Sequence, residues 1–576
     1  MSHEGAPRHS AASSTPPSGG RREDQIPELV DSRILFDILN CFPLPDNPVD
    51  ILSWPPDVFA VTARLLLDTE GYRFVVSPPG DEEWPPGSDW ASVVTRVAFE
   101  WVEAIGQPDT PLPEELSSAW GIVWAARDTE VETVKRGERW DVIAAVLTLH
   151  AFADQAAVDL GHKLDPSSQS FEGRAWRTLA ETGTLSHFPP WLIRVLPKSH
   201  LGLGGINLRS LSRYLAAHTG QIDVSWTRLP LGDLDTRDVK GTSYNLLLLP
   251  WPLEVRRSDF RQWDGPLREM PTKFGFFRYS PANELDLAYV ESALKEALAT
   301  VAQVDGIVLP ESAISAEELP ALELLSHRYG AYFLVSGVRR DPTAGRLGEN
   351  YAHIGMWHEG RWHRLRANKH HRWGLDDSQL HQYGLVEHLD TRRLWWEAIK
   401  VPLREMHILD VGGGATTSVV ICEDLARLDV VAEVLRYVGP TLVITLLMDG
   451  PQLANRWSAR YASVLADDPG STVLTLTSLG MAELSNPAGH PPSRSVALWK
   501  DPERGLRQIE LPEGATAALL QIGESRKTVW TADGRQHDGR TPRLILDSAT
   551  PIFAAVGVND RMSMSPSQSV GSGQPV

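Results

Sequence analysis

The chain has 576 residues, 42% of them hydrophobic and 22% charged, a globular balance in a length too great for one ordinary core, so two or three domains are expected. A formal net charge of -19 argues against a general basic face that wraps duplex DNA. The two cysteines, Cys41 and Cys422, lie far apart and outside any CxxC pair, so neither a disulfide framework nor a cysteine-based zinc site is expected.

Residues 1–24 are rich in Ser, Pro and Gly and contain no apolar stretch of the secretory kind, so a disordered tail is expected. Residues 25–225 are expected to be mainly helical, forming an accessory or regulatory domain. Apolar residues recur at three- and four-residue spacings in Asp31 to Asn40, Asp57 to Asp68 and Trp90 to Ile105, and the longest such run is Trp140 to Leu160. Within this part, the segment Arg194 to Arg213, with Lys198 and Arg209, carries few acids. It reads as a solvated face or as a docking patch for an acidic or nucleic-acid partner. GLGG at 202–205 lacks the spacing of a dinucleotide fingerprint. Residues 226–241 read as a linker.

From 242 to 545 strands alternate with helices, which predicts an α/β layered domain with the sheet inside. The apolar run Asn245 to Leu253 reads as a buried strand, and it is too short to cross a bilayer. A helix is expected over Leu285 to Val304 and a strand over Asp305 to Pro310. Ser315 and Glu318 form a capping box that should start the next helix. Further strands are expected at Ala331 to Val338, on both sides of the HEGR turn at 358–361, at Met406 to Val411, Thr416 to Cys422, Thr441 to Leu447 and Ser471 to Ser478. The stretch after 545 reads as a largely disordered extension. From these features a soluble protein of a reducing, cytoplasmic setting with no membrane partner is expected.

Three polar residues fall where strands end. Glu311 directly follows DGIVLP, Lys369 lies in RLRANKHHRW, and Cys422 follows TTSVVI and precedes an acidic helix start. Ligands of α/β sheets gather at the carboxyl ends of strands. Each residue alone has an ordinary structural role available to it. The order Glu, Lys, Cys, at separations of about 55 residues, gives the set its meaning.

With VLPES around Glu311, RANKHH around Lys369 and VVICEDLAR around Cys422, this half of the chain resembles the nitrilase, or carbon–nitrogen hydrolase, superfamily. SGVRR at 336–340, ENYAHI at 349–354, NRWSARYAS at 455–463 and SRSVALWKDPERG at 493–505 extend the resemblance over about 300 residues. The resemblance implies a four-layer αββα sandwich, assembly as a homo-oligomer through helix faces, and no cofactor or metal. It implies hydrolysis of a small-molecule amide or related C–N bond through a cysteine thioester. In those terms Cys422 is the nucleophile, Glu311 the general acid and base, and Lys369 the cation at the developing oxyanion, with the backbone N–H of Glu423 as second donor. Family members often carry a second Glu eight residues beyond the lysine. Here Asp377 stands at that spacing, with Asp376 beside it. Trp373, Met448 and Asp449 stand where the family contacts substrate. CED after the nucleophile resembles amidases and the glutaminase domains of ligases, which favours an amide over a nitrile.

Other signals point less far. His353, His358 and His363 recur every five residues, a spacing that suits a decorated hairpin better than a metal site. His370 and His371 either line the pocket mouth or sit exposed in a loop. Gly412 to Gly414 reads as a hairpin turn, and no GxSxG occurs. Two functions remain open: a cytoplasmic amidohydrolase with a helical accessory domain, or a nitrilase-fold scaffold of weak or lost activity used in assembly or signalling, as in a bacterial defence system.

Overall fold

Along a strand successive side chains point to opposite faces, and this sorts Leu246 and Leu248 into one core and Leu247 and Leu249 into another. A computed structural model describes residues 33–556 apart from 106, 108–109, 159, 161–168, 203–204, 221, 229–243, 266–271, 413, 428–430, 486–491 and 538–540. The expected N-terminal tail and most of the 226–241 linker lie outside the described residues.

Two large sheets carry the second half of the chain. One runs in the order Arg361–Asn368, Glu349–His358, Phe333–Arg340, Gly306–Val308, Tyr244–Leu248, Ala517–Ser525, Arg543–Ile552. The other runs Gly505–Glu510, Ser495–Asp501, Thr472–Leu476, Leu442–Leu446, Ala415–Ile421, Glu405–Gly412, Asp223–Arg228. Leu248, Val308, Val335 and Ile354 of the first meet Val419, Ile421, Ile444 and Leu474 of the second in one core. Behind the first sheet, Leu247, Ile307 and Leu334 pack on Tyr289, Val290 and Leu294 of the helix Leu287–Leu298 and on Leu322 and Leu325 of Leu319–Arg328. Behind the second sheet, Ile408, Val420 and Val443 pack on Val434 and Leu435 of the helix Val431–Val438. A third, smaller sheet orders Gly374–Leu375, Leu394–Glu397, Phe274–Tyr279 and Phe260–Trp263. The sequence pattern did not reveal it.

The capping-box expectation is corrected in position. Glu318 accepts a hydrogen bond from the Ser315 backbone N–H (2.5 Å), but Ser315 belongs to a two-residue strand and the helix begins at Leu319. The HEGR turn does join two antiparallel strands, Glu349–His358 and Arg361–Asn368.

The described residues before 225 share a hydrophobic core with the second half. Helices Pro55–Asp68, Trp90–Ile105 and Trp140–Ala156 form where the spacing predicted them, joined by Glu114–Ala125 and Phe171–Thr182. Their apolar faces, with Val58, Phe59, Trp101, Trp120 and Phe152, enter the same core as Val420, Leu425, Leu435 and Val443 of the second half. The boundary expected at 225 falls inside the strand Asp223–Arg228, which pairs in parallel with Glu405–Gly412 at the edge of the second sheet. Likewise the boundary expected at 545 cuts the strand Arg543–Ile552, paired with Ala517–Ser525. Sheet hydrogen bonding across sequence distance overrode composition in both places. No residue of the helix Val431–Val438 is exposed, because the chain's own segment around Ser199 to His218 lies over it.

The basic segment is corrected too. Arg194, Lys198 and Arg213 are buried. Arg194 donates to Asp223 (3.0 Å), Lys198 to the Ser212 carbonyl (2.8 Å) and Arg213 to Thr541 (2.9 Å), while Arg209 pairs with Asp468. These charges are paired inside the fold rather than held out as a solvated face. Burial pushes the Lys198 ammonium down to about 7, partly opposed by Asp154.

The turn between Val529–Trp530 and Gln536–His537 fastens the two parts together. Arg535 donates to Asp154 (3.0 Å), to Asp533 (2.8 Å) and to the Leu211 carbonyl (2.6 Å), all buried. Removing one partner of such a cluster strands the others without compensation. Arg535→Ala is expected to lower unfolding free energy by about 3 kcal/mol, read from denaturant midpoints at unchanged slope. A loss below the error of the measurement would mean the contact is not maintained in solution. Among the described residues no helix is long and apolar enough to cross a membrane.

Candidate active site

Glu311 is placed by a turn that only a glycine neighbour permits. Gly306–Val308 ends, and residues 310–312 fold over Gly337 on the adjacent strand, where the Gly337 N–H donates to the Pro310 carbonyl (3.1 Å). A Cβ on Gly337 would lie 2.2 Å from that carbonyl oxygen and 2.5 Å from the Glu311 Cα. Ser312 then takes φ 52°. Cys422 sits on a second sharp turn. The strand Ala415–Ile421 stops, Cys422 adopts φ 50°, and a short 3-10 turn Cys422–Leu425 follows. A left-handed non-glycine residue costs on the order of 1 kcal/mol and persists only where its surroundings hold it.

The structure brings Glu311 and Lys369 together at 2.7 Å, both buried. Lys369 Nζ also donates to Glu397 Oε2 at 2.7 Å. Asn350 Nδ2 bridges the two carboxylates, donating at 2.8 Å to Oε1 of Glu311 and at 2.8 Å to Oε1 of Glu397. The Trp373 backbone N–H adds a bond of 3.2 Å to Glu397. The second acid of the cluster is therefore Glu397, not Asp377. Asp377 is exposed in the first turn of the helix Asp377–Gln382, 3.4 Å from His381, and Asp376 caps that helix by accepting from the Gln379 N–H (2.8 Å). Glu397 reaches the site from the strand Leu394–Glu397 of the small sheet. The only trace of it in the sequence is an acid closing the apolar stretch LWWE. Asn350 lay within the ENYAHI motif but carried no assigned role.

The electrostatics follow from two carboxylates and one ammonium without solvent. Burial raises the Glu311 carboxyl above its ordinary 4.5, and Lys369 offsets this only in part. Burial also disfavours the Lys369 charge, but Glu311 and Glu397 outweigh it and hold the ammonium well above its usual range. Burial and the Glu311 charge push the Cys422 thiol well above its usual range, against the pull of Lys369. Both effects favour the neutral thiol over the thiolate. Oε2 of Glu311 is buried and accepts no hydrogen bond among the described residues.

Cys422 opens on a pocket of about 620 Å³ whose wall includes Trp373, Glu423, Met448 and Asp449, and also Tyr383, Arg427 and, from the NRWSARYAS motif, Trp457 and Tyr461, none of which carried an assigned role. Asp449 is saturated: it accepts from the Tyr383 hydroxyl (2.8 Å), Arg456 (2.6 Å) and the Trp457 indole (3.0 Å). His370 and His371 are neither pocket-lining nor exposed. The His370 backbone N–H (3.1 Å) and the His371 ring (2.6 Å) both engage Asp424, tying the lysine loop to the turn that carries Cys422. Among the described residues no group of three His, Cys, Asp or Glu side chains could hold a metal ion.

No family model matches the chain, and no curated protein matches it in sequence. Solved structures of nitrilase and carbon–nitrogen hydrolase superfamily members match about half of it. A glutamine-dependent NAD+ synthetase from Acinetobacter baumannii is 12% identical over 53% of this chain and 48% of its own, with a TM-score of 0.30. The chain thus spans about half the length of that synthetase. Nit3 of Saccharomyces cerevisiae, a member of branch 10 of the nitrilase superfamily, is 14% identical over 48% of this chain and 89% of its own, with a TM-score of 0.30. An amidase from Nesterenkonia sp. AN1, bearing the acetamide moiety of fluoroacetamide on its active-site cysteine, is 14% identical over 47% of this chain and 90% of its own, with a TM-score of 0.28.

Proposed function

We propose that the chain is an amidohydrolase of the nitrilase type, cleaving a non-peptide C–N bond through a thioester on Cys422. The observation that carries this reading is one buried cluster of Glu311, Lys369 and Glu397, in which the Glu311 and Lys369 charges act on the thiol of Cys422, itself on the wall of an open pocket. The helix–sheet–sheet–helix layering agrees with the αββα sandwich that the resemblance implies.

Each group has a task its surroundings suit. Glu311 presents an unpaired Oε2 and a raised pKa, so it can take the thiol proton as sulfur attacks the amide carbon and return it to the departing nitrogen. The same oxygen then takes a proton from water as it attacks the thioester, and the proton passes to the leaving sulfur. An ammonium has three N–H donors, and Lys369 uses two on Glu311 and Glu397. The third serves the oxyanion, together with the Glu423 backbone N–H. Asn350 and Glu397 position the lysine and the base.

The test is acyl transfer in the purified full chain. Incubation with a panel of simple amides and hydroxylamine is expected to release ammonia and form the hydroxamate, with an acyl mass recovered on the peptide containing Cys422 after acid quench. If no amide of the panel yields ammonia or hydroxamate and the peptide stays unmodified, the enzymatic reading is wrong and the scaffold reading takes its place.

A further inference from the structure

Within that reading, which this inference rests on, the pocket wall also bears on the substrate. Trp373, Tyr383, Trp457 and Tyr461 contribute four aromatic rings to one cavity, and Met448 adds a thioether. Three charged side chains, Glu423, Arg427 and Asp449, share the wall, and all are engaged within the protein. Glu423 accepts from Arg427 at 2.9 Å, and Asp449 accepts from Tyr383, Arg456 and Trp457. An ammonium on the substrate would find Asp449 already satisfied and balanced by Arg456. A carboxylate on the substrate would meet Glu423 and Asp449, with Arg427 already committed. Neither charge has a partner waiting, and burying one without a partner is costly. Planar π surface, by contrast, is matched on several sides.

The binding surface is of most use to the half of the substrate that stays on the enzyme. The acyl group remains joined to Cys422 through both half-reactions, whereas the amine must depart before water can enter. A wall that held the amine tightly would slow the second step.

We propose that the substrate is the amide of an uncharged aromatic carboxylic acid, its ring held among Trp373, Tyr383, Trp457 and Tyr461 while its carbonyl carbon faces Cys422. The bonds involved are those of the proposed reaction: sulfur to acyl carbon forms, the C–N bond breaks, and water then replaces sulfur.

The experiment compares kcat/KM on the full chain for phenylacetamide, acetamide, acetanilide and glutamine, by ammonia or aniline release. Phenylacetamide is expected to exceed acetamide by at least about tenfold, the discrimination an apolar pocket gives for a few matched carbons. Glutamine and acetanilide should fall below phenylacetamide. Tyr461→Ala, with its fold checked by circular dichroism, should lower the phenylacetamide-to-acetamide ratio severalfold. Tyr461→Phe should keep that ratio. If acetamide, acetanilide or glutamine is the better substrate, the aromatic assignment is wrong while the amidohydrolase reading stands. If the Tyr461→Ala ratio is unchanged, the ring does not sit in this wall. If all four amides are inert and hydroxylamine traps nothing from them, both readings fall together.

Discussion

Glu397→Gln is expected to lower kcat/KM by on the order of 100-fold, while Asp377→Asn leaves it within about twofold. Glu397 is one of two carboxylates that hold the buried Lys369 ammonium, and it also receives Asn350 and the Trp373 N–H. The amide of Gln still offers one oxygen but removes a negative charge from a place without solvent. Lys369 would then lean on Glu311 alone, and Glu311 would lose the repulsion from Glu397 that helps keep its pKa raised. The base should become weaker, so the acid limb of the pH–rate profile should move down toward the ordinary glutamate value as the rate falls. Asp377 is exposed and, among the described residues, pairs with His381 on its own helix, so its loss reaches none of these groups. Steady-state kinetics on the two variants across pH decide the matter. If Asp377→Asn is the damaging change, the cluster has been assigned to the wrong acid.

Lys369→Met should remove activity by about 100- to 1000-fold and destabilise the fold by about 3–5 kcal/mol. The activity loss follows from the missing N–H at the oxyanion. The stability loss follows from leaving Glu311 and Glu397 buried together with no cation between them. Lys369 has a folded pKa above its unfolded value, so its stabilising contribution is present in full below about 10.5 and fades only as pH rises through the raised value. In the variant, one of the two carboxylates should hold a proton near neutral pH, so its deficit should shrink as pH falls and both acids become neutral. Urea titrations at pH 5 and pH 8 read this directly. A variant as stable as the parent at pH 8 would mean that the ion cluster opens to water in solution.

Much of the second half was legible because its signals are local. The alternation of Leu246 to Leu249, the apolar strand before Glu311 and the acidic turn after Cys422 are written in consecutive residues. The helices Pro55–Asp68 and Trp140–Ala156 were legible for the same reason. The small sheet was not, because its strands are two to six residues long and its central pairing, Phe274–Tyr279 with Leu394–Glu397, spans more than a hundred positions. That sheet delivers Glu397, which a rule based on eight-residue spacing could not reach. The basic run from Arg194 to Arg213 misled because charge in a sequence says nothing of burial. Its partners Asp223, Asp468 and Thr541 lie up to several hundred residues away.

Residue order alone therefore determined the strand-end positions of Glu311 and Cys422, the candidacy of Lys369 between them, and the alternation of strand and helix around all three. Periodicity and turn chemistry act over a few residues and can be read there. The identity of the second acid, the merging of the N-terminal helices into the core of the second half, and the aromatic wall of the pocket were decided by tertiary structure alone. Each depends on which distant segments pack together once water is excluded, and on the need of every buried charge for a partner.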